Sequence, residues 1–143
     1  FYSQSKIALD MLELNTDDLL RLVTELKLIG SYDYIILDMD FSLDEGTMNL
    51  YRQAHAMVMV SDGTEVANSK LFRAYTAMSV KEQNEVAPLT SRLCLVYNKF
   101  SNKSSRVIEN IDIRNIGGAP RFEHASVAQV RAELSTMNIF EKI

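Results

Sequence analysis

The residues with the greatest capacity for chemistry in this chain stand at the ends of apolar runs. In the stretch YDYIILDMDFSL, from Tyr32 to Leu43, the apolar residues 34–37 lead directly into Asp38 and Asp40. The run 56–61 closes on Ser61 and Asp62, and the run 92–97 is followed by Asn98 and Lys99. Buried strands of a parallel sheet read as near-continuous apolar runs, and ligands of open α/β sheets bind outside the carboxyl ends of the strands. If the three runs are parallel strands, their polar ends converge on one edge. A carboxylate there suits a hydrated Mg²⁺ or a phosphoryl transfer, so Asp38 is the first functional candidate. The simpler reading makes Asp38 and Asp40 loop-opening residues that cap the next element.

The elements that would position these residues alternate. Leu19, Leu22, Val23, Leu26 and Ile29 recur at helical spacing, with Asn15 or Thr16 as cap, acidic residues in the first turn, and Gly30 as the stop. A strand is then expected over 34–37. A loop through Asp44, Glu45 and Gly46 leads to a short helix over 47–54 that buries Leu50, Tyr51 and Ala54. A second strand, 56–61, runs into the turn Asp62, Gly63, Thr64. The helix after it carries Leu71, Phe72, Tyr75 and Met78 on its inward side, an aromatic stripe that belongs to the core rather than to a cofactor. A third strand spans 92–97 and a weaker one 111–116. Gly117, Gly118 and Pro120 suggest an irregular turn, and Ser126 caps a last helix that turns Val127, Val130 and Leu134 inward. Strands alternating with helices indicate a layered α/β domain whose sheet is mainly parallel and flanked by helices.

Composition excludes several classes. At 143 residues, 47% hydrophobic and 24% charged, the chain has the make-up of a globular domain with a real core. Its formal net charge of −4 argues against a broadly basic surface for nucleic acid. No apolar stretch approaches the length of a transmembrane segment. The single cysteine, Cys94, lies among apolar residues and reads as a small hydrophobe, which fits a reducing, cytoplasmic setting. His55 and His124 have no partners at metal-ligand spacing. The chain opens on Phe1, without an initiator Met or a signal-peptide pattern, and is expected to be an internal piece of a longer one.

The segment Tyr32 to Asp38 resembles the Walker B strand of the MinD/ParA family of deviant P-loop ATPases. Three further segments resemble that family in order: AHAMVMVS, residues 54–61; LVYNK, residues 95–99; and GGAPRF, residues 117–122. Together they cover roughly residues 16 to 143. The resemblance implies that Asp38 orients the water shell of Mg²⁺, that Asn98 recognises the adenine of ATP, and that Pro120 lies near the base. It also implies a homodimer formed through nucleotide and the positioning of a larger assembly. One carboxylate with phosphates is a normal way to hold an octahedral Mg²⁺.

Two departures qualify the resemblance. Where the family usually places Thr-Pro or Ser-Pro after its Asp, this chain has Met39 and Asp40. No glycine-rich loop followed by Lys and Ser/Thr occurs, so the backbone cradle that binds phosphates is missing. Residues 1–143 are therefore expected to be the C-terminal part of one MinD/ParA-like ATPase domain whose P-loop strand lies elsewhere, and to be inactive alone. The acidic residues beside a missing Pro resemble the TadZ/CpaE group, which localises pilus-assembly machinery.

Two other classes fit parts of the same stretch. Asp38, Met39, Asp40, Phe41, Ser42 and Leu43 come close to the DxDx(T/V)L motif of haloacid-dehalogenase-like phosphatases, with Asp38 as nucleophile, Asp40 as general acid and Ser61 as a second-strand hydroxyl. No later strand ends in the acidic pair that would complete their Mg²⁺ site. YDYIILDMD followed by Gly46 also resembles the central strand of a phosphoacceptor receiver domain, but the acidic pair and lysine of that site have no counterparts.

Overall fold

The computed structural model describes residues 15–143, which fall into two compact units divided after Gln53. The first unit contains α1 (Thr16–Ile29) and α2 (Glu45–Gln53). Asn15 caps α1 reciprocally: its side chain accepts from the Asp18 amide at 3.0 Å, while the Asp18 carboxylate accepts from the Asn15 amide at 3.1 Å. Gly30 ends the helix in the left-handed conformation, φ 63°. α2 buries Thr47, Met48 and Leu50. Tyr51 and Ala54 are only half-buried, and Met48, at 0% exposure, takes the central position expected of them.

The strand expected over 34–37 is not formed. Residues 34–43 have no regular structure, and Tyr34 and Ile36 are 84% and 87% exposed. Apolar composition supplies a drive toward burial, but a strand exists only through its ladder, and no strand among the described residues pairs with this one.

The second unit holds a three-stranded parallel sheet in the order β1-β2-β3: β1 (Met57–Ser61), β2 (Leu93–Phe100) and β3 (Arg114–Pro120). With its flanking helices this is the α/β layered class expected from the alternation. β1 pairs with β2 from Met57↔Leu93 to Ser61↔Tyr97 without interruption. α3 (Glu65–Lys81), capped by Thr64, packs Leu71 against Leu95 and Tyr97, with Met59, Phe100, Ile108, Ile111 and Ile113 around them. Cys94 and Ile116 form a second cluster with Ile139 from the C-terminal tail. Cys94 is thus a buried core residue, as expected; its Sγ also accepts from the Arg114 guanidinium at 2.9 Å.

Three details correct the sequence reading. Phe72 is 45% exposed, so the inward stripe of α3 is Leu71 and Met78, with Tyr75 half-buried and its hydroxyl donating to the Asp112 carbonyl at 3.1 Å. In α4 (Val127–Leu134), Val127 is 82% exposed because it occupies the first turn beside the Ser126 cap. Gly117, Gly118 and Pro120 do not turn the chain but belong to β3. A Cβ on Gly118 would fall 2.7 Å from the Tyr97 carbonyl oxygen, so glycine there permits a close approach to β2. Pro120, lacking an N–H, is tolerated at the end of an edge strand.

Candidate functional site

β1, β2 and β3 run in the same direction, so their carboxyl ends form one edge of the second unit. Ser61 and Asp62 stand at the first end, Asn98, Lys99 and Phe100 at the second, and Pro120 at the third, in register with Phe100. Two of the residues proposed from sequence, Asn98 and Pro120, therefore share this edge, both solvent-exposed. β2 runs on beyond 97 to Phe100, which places Asn98 inside the strand. Alternation puts Asn98 on the face of Cys94 and Val96, opposite Leu95 and Tyr97. The ladder shifts register between Tyr97 and Phe100, with Lys99 at φ 59°, so this edge is locally irregular.

The loops behind the edge are tied together. Ser105, 3% exposed, donates its hydroxyl to the Asp62 carbonyl at 2.6 Å and accepts from the Ser101 amide at 3.0 Å. The Arg106 amide donates to the Gly63 carbonyl at 2.7 Å, and Asn68 Nδ2 on α3 donates to the Arg106 carbonyl at 2.8 Å. Gly63 sits at φ 75°, where an added Cβ would lie 2.9 Å from the Phe100 ring and 3.1 Å from the Arg106 carbonyl oxygen. The Ser61 hydroxyl accepts from the Gly63 amide at 3.1 Å. Its polar capacity is thus engaged in holding the turn.

Asp62 is held below the ordinary carboxylate range. The main causes are the Thr64 amide, at 2.9 Å, and the Thr64 hydroxyl, at 2.8 Å; the positive charge of Lys99 adds to them. This is a strand-end carboxylate fixed by its own turn, with a lysine from the next strand close enough to act on it.

Asp38 lies in the first unit, exposed, on the irregular segment that replaces the expected strand, and Asp40 is exposed on the same segment. The acidic residue with a defined structural task there is Asp44, which accepts from the Thr47 amide at 2.9 Å, from the Thr47 hydroxyl at 2.7 Å and from the Ser42 hydroxyl. It occupies the N-cap of α2 and is lowered to about 2, with the Ser42 hydroxyl as the largest cause and the Thr47 amide next. Nearby, the Tyr51 hydroxyl accepts from the Ser42 amide at 3.4 Å, and burial raises its pKa.

Among the described residues no group of three or more His, Cys, Asp or Glu side chains is arranged to hold a metal ion. The sequence has no glycine-rich loop that could cradle phosphates. No helix among the described residues is long and apolar enough to cross a membrane. Compared with known protein families and with curated proteins, the chain matches no family model and no curated protein.

Sequence reasoning missed Asn68, Ser105 and Arg106. Their bonds join residues 38 to 43 positions apart, and no local pattern marks such a partner.

Proposed function

We propose that this chain is the C-terminal part of a MinD/ParA-like ATPase domain that binds ATP with Mg²⁺ and uses nucleotide-dependent dimerisation to position a larger assembly, such as secretion or pilus machinery. The observation that carries the reading is the shared carboxyl edge. Asn98 on β2 and Pro120 at the end of β3 stand exposed on adjacent parallel strands at the carboxyl edge, the side on which ligands of open α/β sheets bind, which supports a base site there. Behind them, the bonds of Ser105, Arg106 and Asn68 fix the loops, so a base would meet a preorganised rim.

In this reading Asn98 offers its amide oxygen and nitrogen to the adenine edge and Pro120 contributes an apolar contact beside it. Asp38 would hold the water shell of Mg²⁺. The bound metal and ATP supply the phosphoryl chemistry, in which positioning and charge neutralisation carry most of the catalysis. The phosphates require a cradle from polypeptide outside residues 1–143. Among the described residues, the outer edge of β1 has no strand paired with it, which is compatible with a sheet that takes a further strand.

The test is equilibrium binding of ATP and GTP to the protein that carries both this chain and its phosphate cradle. Asn98→Ala is expected to weaken ATP by about tenfold, the worth of a lost pair of hydrogen bonds, and to reduce the preference for ATP over GTP. Unchanged binding and selectivity would remove Asn98 from the base site. Measurable ATP hydrolysis by residues 1–143 alone would overturn the assignment of the cradle to other polypeptide.

A further inference from the structure

No further inference is drawn: the strongest candidate, the open edge and solvent-facing apolar side of β1 at Val58 and Val60, 41% and 65% exposed, carries nothing because nothing in the structure shows what covers it.

Discussion

The hydroxyl of Ser105 donates to the carbonyl of Asp62 at 2.6 Å across 43 residues of sequence, joining the loop after β2 to the turn after β1. The same oxygen accepts from the Ser101 amide, so one buried side chain satisfies a donor and an acceptor of the backbone. Ser105→Ala would leave both without that partner. A buried polar group deprived of its partner costs about 1–3 kcal/mol. Denaturant unfolding followed by far-ultraviolet circular dichroism should show a destabilisation of that order. A change within error would mean that water replaces the hydroxyl and that the carboxyl edge does not depend on it.

Gly63 is bound to the same arrangement by its backbone. At φ 75° a side chain is strained, and the built Cβ meets the Phe100 ring, the Ser105 Cβ and the Arg106 carbonyl oxygen at 2.9 to 3.1 Å. Gly30 has a similar φ of 63° with nothing within 4 Å of its Cβ position. Gly30→Ala should therefore cost only the conformational penalty, about 1 kcal/mol. Gly63→Ala should cost more, about 2–4 kcal/mol once overpacking is added. Equal losses of stability in the two variants would show that the loops after β1 and β2 can separate without penalty.

Asp44 makes the start of α2 sensitive to acid. Its folded pKa, about 2, lies below the ordinary 3.8, so its contribution to stability is fully present above 3.8 and is lost as pH falls through about 2. The amide resonance of Thr47, which donates to the carboxylate, should titrate with a midpoint near 2. Asp44→Asn keeps a side chain suited to the N-cap and should abolish that titration. A Thr47 midpoint at the ordinary 3.8 in the wild-type chain would show that the Ser42 and Thr47 bonds do not hold the carboxylate in solution.

The sequence disclosed those features that local rules determine. Helical spacing, a cap at Asn15 or Thr16 and the stop at Gly30 placed α1 over Thr16–Ile29, and the turn Asp62, Gly63, Thr64 and the Ser126 cap marked the starts of α3 and α4. Apolar runs located β1 and β2, and the alternation of elements yielded the parallel α/β layering. Residues 34–37 show the limit of that signal. Their composition matches a buried strand as well as Leu93–Tyr97 does, yet only the latter has strands paired on both sides. Gly117 and Gly118 show another: the residues that normally turn a chain here let β3 pass close to Tyr97. Of the candidate site, Asn98 was legible as the residue that follows an apolar run, whereas Pro120, expected in a turn, stands at the end of β3. The Ser105, Arg106 and Asn68 bonds behind them were not, because each partner is chosen by the fold.

The two carboxylates that come after residues 34–37 separate the functional classes. Asp38 and Asp40 are both exposed on an irregular segment, so either can be changed with little expected effect on folding. In the ATPase reading Asp38 alone serves Mg²⁺. Asp38→Asn in the protein that includes the phosphate cradle should lower ATP turnover by about a hundredfold, comparable with loss of one preorganised electrostatic group, and weaken the Mg²⁺ dependence of ATP binding. Asp40→Asn should leave both unchanged. A phosphatase of the DxD type requires both residues, one as nucleophile and the other as general acid. Hydrolysis of a small phosphate ester that disappears in each variant separately would therefore replace the ATPase assignment with that chemistry. A stable acyl phosphate on Asp38, formed from a small phosphodonor, would instead identify a phosphoacceptor.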